Sequence, residues 1–538
     1  MLLATRFVRA FSSTRPQARK LLFQRPSVAA AALNTKAPLD SRTLNGLVAA
    51  ATRALDLLTL HAKHYESFNE VNLATCWSRL GRVKGQDRTW LQRDDGVELQ
   101  ALREHTESRV HTFGAQALST TAHAMAKLDL RGAVWQTLWK KLEAAALERR
   151  SEFVPQNLAN TAWAFATARH SAPALFDAIA AASAGRVGEF KPQELSNTAW
   201  AFATADHSAP ALFDAIGAQA AGRVRELNPQ NLANTAWAFA SAGHSAPALF
   251  DAIGTEAARR VGEFNPQGLA NTAWAFATAG HPAPALFDAI EVETARRVRE
   301  LNPQGMANAA WAFATAGHSA PALFDAIGKE STRRVRDLTP QGLASTVWAF
   351  ATAGRAATPL FDAIGKESEG RVRELNPPDL AYMALAFAVA GHSAPALFDA
   401  IGTESAGRVG EFKPQALANT AWAFATLGHS APVLFDAISK ECAGREREFH
   451  SRDLAYTAWA FAVLDHLPAD SSIFDQRFAR RCDAIANEFS SADLCMLHQW
   501  HLWYAGRQGC PEALPGAALL ARCKVASRAA AYQPSSLQ

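Results

Sequence analysis

Five kinds of side chain recur along this 538-residue chain at one constant interval, and each could do chemistry. Histidines stand at His170, His207, His244, His281, His318, His392, His429 and His466, with Arg355 in the gap. Stacked helix pairs lie ~9–10 Å apart, so neighbouring histidines cannot share a metal whose Zn–N bonds are ~2 Å. They are expected in a turn between helices, satisfying exposed carbonyls. Aspartates run from Asp177 through Asp214, Asp251, Asp288, Asp325, Asp362 and Asp399 to Asp436. Paired carboxylates for general acid–base work must converge in one pocket. A regular, well-separated row instead suits the positive dipole end of successive helices. Arginines fall at Arg186, Arg223, Arg260, Arg297, Arg334, Arg371, Arg408 and Arg445. A line of guanidinium groups could track a phosphate backbone. An acid follows three residues later every time, from Glu189 to Glu448, which reads as a solvated i, i+3 ion pair and is the favoured of the two readings.

Asparagine and tryptophan recur together. Asn160, Asn197, Asn234, Asn271, Asn308 and Asn419 hold one position, with Ser345, Tyr382 and Tyr456 as replacements. Three residues earlier the identity changes freely: Asn157, Glu194, Asn231, Gly268, Gly305, Gly342, Asp379, Ala416 and Asp453. The i, i+3 spacing puts both positions on one helix edge, where a variable polar pair could read one base per unit. The same residues could equally cap the helix or ladder between neighbouring units. Trp163, Trp200, Trp237, Trp274, Trp311, Trp348, Trp422 and Trp459 form the last row, with Leu385 in place of one ring. Such rings could stack on bases, but the replacement keeps volume and loses aromaticity, so they are expected in the core.

The elements that must hold these rows follow from the repeat itself. Pro155-Gln-Asn-Leu-Ala-Asn-Thr-Ala-Trp-Ala-Phe165 recurs at Pro192, Pro229, Pro266, Pro303, Pro340, Pro377 and Pro414, and a degenerate copy starts at Ser451. Every step is 37 residues, the signature of a repeat array. Weaker copies begin at Asn72, Ala115 and Ala492. Within a unit, Asn228 can cap a helix with Pro229 at its first position. Leu232, Ala236 and Phe239 give it an apolar face, and Gly243 suits the left-handed residue that ends it. Ser245 is expected to cap a second helix with Pro247 just inside, running on to Val261. Nothing alternates with period two, so the fold class is all-α: an α-solenoid of tandem 37-residue antiparallel helix pairs. The domains are residues 40–154 as divergent repeats, 155–490 as the regular array and 491–538 as a helical cap.

Residues 1–39 read differently. Arg6, Arg9, Arg15, Arg19, Lys20, Arg25 and Lys36 precede the first acid, Asp40. Arg-rich, Ser-containing and amphipathic, the segment is expected to be a mitochondrial, or alternatively plastid, transit peptide, disordered. It carries the basic character: the whole chain has a net charge of +4, but beyond residue 39 the balance is −3. Over residues 155–450 it is −5, from 23 Lys and Arg against 28 Asp and Glu, so bulk charge gives no support for a polyanion partner. The six cysteines form no CxxC pair, which argues against a structural zinc and fits a reduced compartment. No apolar run reaches the ~20 residues of a membrane span. No GxxxxGK[ST], GxSxG, HExxH or GxGxxG motif is present. No enzyme activity, cofactor, metal or small-molecule substrate is expected.

The unit PQxLANTAWAFATAGHxAPALFDAI resembles the octotricopeptide and 37-residue heptatricopeptide repeats over roughly residues 115–490. Those repeats are related to FAST-kinase-like proteins and to helical-repeat subunits of the kinetoplastid mitochondrial RNA-editing substrate-binding complex. Leu497-His-Gln-Trp-His-Leu-Trp-Tyr504 resembles the stretch that leads into a RAP domain, which is itself expected to be absent or truncated. The resemblance implies a protein of the mitochondrial matrix that binds single-stranded organellar RNA, ~1 nucleotide per unit along a concave face. Its roles would lie in RNA processing, stability, editing or translation, within a ribonucleoprotein granule and beside other ribonucleoprotein subunits. The expected contacts are Asn157, Asn160, Glu194, Asn197, Asn231, Asn234, Asn271, Asn308 and Asn419, with Arg186, Arg223, Arg260, Arg297, Arg334, Arg371 and Arg408 on the backbone. The alternative is a protein-binding scaffold of an organellar ribonucleoprotein complex.

Overall fold

A computed structural model describes residues 39–93, 99–355, 357–467, 472–507 and 514–531. The expected transit peptide lies outside them, apart from Leu39. The described residues are all-α, with no strand, and the fold class is that of an α-solenoid of repeated helix pairs. No helix among them is long and apolar enough to cross a membrane. The chain divides into two compact units, one ending at Glu263 and the other beginning at Phe264.

Each repeat builds two helices and a short 3-10 turn. In the unit at Pro229 the first helix is Pro229–Ser241. Asn228 caps it by accepting a hydrogen bond from the Asn231 N–H at 2.8 Å. Gly243 ends the turn at φ +61°, the left-handed conformation that L side chains resist. Arg169, Asp206 and Asp465 take the equivalent conformation without a glycine. The second helix is Pro247–Arg259. Its cap differs from expectation: Ala246, at φ −148° and ψ 64°, precedes the proline and no side chain closes the end, so Ser245 does not cap it. A proline at the first position carries no N–H, which leaves fewer donors for a cap to satisfy. The helix also ends before Val261, because Val261–Glu263 tightens into the 3-10 turn that leads to the next unit.

Packing follows the sequence pattern. In the first unit the helices Ala115–Lys127, Pro155–Ala168, Pro192–Thr204 and Pro229–Ser241 pack side by side in succession. In the second, a row of its own begins at Pro266–Thr278 and ends at Ser491–Ala505 and Ala517–Ala531. Second helices form a parallel row, as Pro284–Arg296 packs on Pro321–Arg333. The core between the rows is Leu158, Phe165, Phe176 and Ile179 and their equivalents, each about 2 % exposed or less. Phe176 meets Phe202 edge to face at 5.1 Å, and Phe287 meets Phe313 likewise at 5.0 Å. At the C-terminal end Trp500 stacks on Tyr504, whose hydroxyl donates to the Phe474 carbonyl at 3.1 Å.

The N-terminal helices hold a histidine pair that the repeat pattern does not announce. His61 Nε2 and His105 Nδ1 lie 3.0 Å apart, both rings are buried, and Tyr65 stacks on His105 at 4.0 Å. Burial, reinforced for His61 by the His105 ring and for His105 by Arg109, pushes His61 down to about 3 and His105 to about 4. The unfolded chain takes up these protons below its ordinary pKa of about 6.5, whereas the folded chain refuses them. Stability contributed here is therefore complete above about pH 6.5 and falls as pH drops toward 4, at up to about 1.4 kcal/mol per pH unit for each ring. Hydrogen exchange of Ala54–Lys63 followed from pH 7 to pH 4 should accelerate beyond its intrinsic pH dependence. His61→Phe should flatten that response.

Candidate nucleic-acid interface

The first helices present one edge to solvent. In the unit at Pro155, Leu158, Ala159, Thr161, Ala162, Ala164 and Phe165 are buried, whereas Gln156 is exposed and Asn160, Trp163 and Thr167 are half-buried. These are positions 2, 6, 9 and 13 of the repeat, spaced so that they fall along one side of the helix. The tryptophans are thus not the core expected of them. Position 9 lies on the boundary of the apolar face, and Phe165 two residues on takes the interior.

The rings form a tilted ladder instead. Trp163 and Trp200 lie 6.3 Å apart at 31°, and Trp200 and Trp237 6.3 Å apart at 33°. His123 extends the row back from Trp163 at 4.9 Å. In the second unit Trp274 and Trp311 lie 6.2 Å apart, and Trp422 and Trp459 6.4 Å. The ladder changes where the sequence departs: Tyr382 meets Trp348 edge-on at 6.5 Å, and Tyr456 stacks on Trp422 at 5.4 Å. A groove of about 410 Å³ runs along this stretch, lined by Trp274, Trp311, Trp348, Asn308, Ser345 and Tyr382 among others.

The expected polar pair separates. At position 6, Asn160, Asn197, Asn234, Asn271, Asn308 and Asn419 are all half-buried beside the tryptophan three residues on. At position 3 the side chains turn inward. Asn157 is 3 % exposed and donates to Gln116 Oε1 and Ser119 Oγ of the preceding repeat at 3.1 and 3.0 Å. Asn231 is buried too, and its carbonyl accepts from the Ser196 hydroxyl. Glu194 is half-buried and caps its helix by accepting from the Lys191 N–H at 2.9 Å. Asp379 and Asp453 are buried there, which pushes both carboxyls above the usual carboxylate range. Position 3 is thus a cap and a tie between repeats. The glutamine at position 2 lies beside position 6, and in the repeat at Pro266 the half-buried Gln267 donates from Nε2 to Asn271 Oδ1 at 3.0 Å. Its recurrence, from Gln116 through Gln156 and Gln193 to Gln415, is the signal that would have found it.

The arginine row is occupied. Arg223 donates from one nitrogen to the Phe190 carbonyl of the preceding repeat at 2.8 Å and from another to Glu226 at 2.7 Å. The same fork joins Arg186 to Phe153 and Glu189, and Arg260 to Leu227 and Glu263. In the second unit it joins Arg297 to Phe264, Arg334 to Leu301, Arg371 to Leu338 and Arg408 to Leu375. The hydrogen bond from Arg260 is the largest influence holding Glu263 below the usual carboxylate range. More exposed guanidinium groups stand two residues later. Arg225, Arg299, Arg336, Arg373 and Arg447 are exposed on the 3-10 turns that lead into the next first helix. Arg373 is 91 % exposed, with its nearest carboxylate, Glu404, 3.9 Å away. The histidines bridge repeats as well: His207 Nε2 lies 2.8 Å from Asp177 Oδ1, and His429 Nε2 2.9 Å from Asp399 Oδ1. Both rows were expected to serve single helix ends, and each instead joins one repeat to the next. Among the described residues no group of three His, Cys, Asp or Glu side chains could hold a metal.

The family model of the RNA-editing substrate-binding complex 6 protein matches residues 143–292 and 289–502, most of the chain and nearly all of the regular repeats. The chain belongs to that family. Nothing among the curated proteins matches it. Among solved structures it is similar to a chain of the homology model of the full-length AP-3 complex in an intermediate open conformation. The two share 11 % identity over 98 % of this chain and 92 % of that one, at a TM-score of 0.25. That likeness bears on neither fold nor function.

The geometry separates the two arginine rows by experiment. Arg334→Lys keeps the charge but cannot reach Leu301 and Asp337 together, so the urea midpoint should fall by the equivalent of about 1–2 kcal/mol. Arg336→Lys, at the exposed position, should change stability by less than about 0.5 kcal/mol.

Proposed function

We propose that this chain is an RNA-binding, non-catalytic subunit of an organellar RNA-editing or RNA-processing complex, and that it holds single-stranded RNA along the exposed edge of its first helices. The observation that carries the reading is the half-exposed Trp and Asn row, a pair present in the repeats at Pro155, Pro192, Pro229, Pro266, Pro303 and Pro414. Aromatic platforms at regular steps suit unpaired bases, whose stacking is worth about 1–3 kcal/mol each. Asn and Gln beside them present donors and acceptors to base edges. Family membership supports the setting, since the family takes its name from an RNA-editing substrate-binding complex. The Arg-rich, acid-free residues 1–39 support import into a mitochondrion, where the matrix would hold both the transcript and the other subunits.

The edge itself is neutral, built from Gln, Asn, Trp and Thr. Phosphates must therefore be met by the exposed arginines at the turns, Arg299, Arg336 and Arg373 in three consecutive repeats of the second unit. Arg186, Arg223, Arg260, Arg297, Arg334, Arg371 and Arg408 hold the fold and would contribute to affinity only through it.

Two measurements test this. Binding of a fluorescent oligouridine to the full chain should weaken about 5- to 100-fold in Trp311→Ala, the loss of one stacked base. Neutralising Arg299, Arg336 and Arg373 together to Gln should lower the slope of log affinity against log salt by about 2. Retention of no RNA at low salt would overturn the reading and turn the same edge into a surface for a protein subunit.

A further inference from the structure

One slot recurs in this molecule and is left open once. In six repeats the imidazole at the turn lies 5.4–5.8 Å from the phenylalanine of the preceding second helix, in Phe176–His207, Phe213–His244, Phe287–His318, Phe361–His392, Phe398–His429 and Phe435–His466. Its Nε2 is 2.8–3.0 Å from the aspartate one residue after that phenylalanine. Each slot is thus a flat aromatic site with a carboxylate at its edge. The repeat at Pro340 departs from the pattern. Arg355 stands where the histidine would be, and Pro359 comes one residue late, so the second helix begins at Thr358.

The walls survive the change. Phe324 and Phe350 meet edge to face at 5.0 Å and 84°, like their counterparts elsewhere. No ring from position 355 lies on Phe324, and the Asp325 carboxylate has no hydrogen-bond or ion-pair partner among the described residues, whereas its equivalent Asp288 is held by His318 at 3.0 Å. A cavity of about 630 Å³ opens here, bounded by Phe324, Asp325, Phe350 and Leu360, and Lys329 and Arg355 also line it. That volume falls within the range of small-molecule sites, about 300–1,000 Å³.

We propose that this cavity binds a guanine nucleotide. The missing occupant is planar, stacks on Phe324 and must bring an N–H, because an ionised carboxylate only accepts. Guanine presents two such donors side by side on its Watson–Crick edge, where adenine presents an acceptor that would face Asp325. Lys329 and Arg355 supply the two cations a phosphate requires. The site lies at the turn between the two helices of a repeat, on different residues from the Trp and Asn edge, and does not depend on the RNA reading.

Calorimetry on the full chain with guanosine 5′-monophosphate should show one saturable site, with adenosine 5′-monophosphate and unphosphorylated guanosine each at least about tenfold weaker. Arg355→His restores the residue found in the other repeats and fills the slot, so it should fold at least as well and lose the nucleotide by about tenfold or more. Asp325→Asn should abolish the preference for guanine over adenine. Trp311→Ala should leave nucleotide binding unchanged, which separates this site from the RNA edge. A single-stranded RNA beginning with 5′-phosphoguanosine that competes with the mononucleotide would supply the same chemistry from a chain end, and failure to compete would assign the site to the free nucleotide. No saturable binding at millimolar concentration, equal affinity for the two nucleotides, or undiminished binding by Arg355→His would overturn the proposal.

Discussion

The fork made by one arginine per repeat sets what the rest of the molecule can do. Arg223 spans from its own Glu226 back to the Phe190 carbonyl, so a single side chain closes its turn and ties two repeats together. Only a guanidinium has donors arranged to serve both acceptors at once. The carbonyl it meets belongs to the residue that ends the 3-10 turn, and the end of a helical turn is where acceptors are left unmet. The same carbonyl is met at 37-residue intervals, which is why the acid three residues on recurs with the arginine.

That device removes positive charge from recognition. With the row at Arg186 through Arg408 engaged, a second, exposed set of guanidinium groups stands on the turns, present at Arg225, Arg299, Arg336, Arg373 and Arg447 and replaced by glycine at Gly188, Gly262 and Gly410. The exposed charge is therefore uneven along the chain although the structural charge is regular. A ligand held on the neutral edge would be bound chiefly by stacking and hydrogen bonding, with charge added in the repeats that have it. This is consistent with a repeat region whose net charge is −5.

The period, the helix pairs and the apolar face of Leu232, Ala236 and Phe239 were legible from the sequence because they depend on local rules: a capping asparagine, a proline at the helix start, a glycine in the left-handed turn. What was not legible lies between repeats. Asp177 and His207 are 30 residues apart, and no helical spacing connects them. Asn157 looked like a solvent-facing partner of Asn160, yet it turns into the preceding repeat because Gln116 and Ser119 stand there to receive it. The tryptophan was misplaced for a related reason. A large apolar residue belongs in the core by type, but Phe165 already fills that volume, and the rotation from position 11 to position 9 carries the indole to the rim.

Near-identity of the repeats bears on what the edge could recognise. Repeats that share Asn and Trp would offer every base the same stack and the same donors, and so would register the length of a bound strand rather than its order. Discrimination has to come from units that differ, and the differences cluster. Ser345 and Tyr382 replace the asparagine in two adjacent repeats, Leu385 replaces the tryptophan in the second, and Arg355 replaces the histidine in the first. The groove lined by Trp311, Trp348 and Tyr382 and the open slot at Asp325 both fall within this stretch. A change that only relaxed packing would leave a smaller residue and an unlined void. Here Tyr382 and Arg355 bring an aromatic and a cationic group to a surface already shaped for a ring, whereas Ser345 and Leu385 shorten or remove one, so selectivity along a uniform scaffold would have to arise in these irregular repeats.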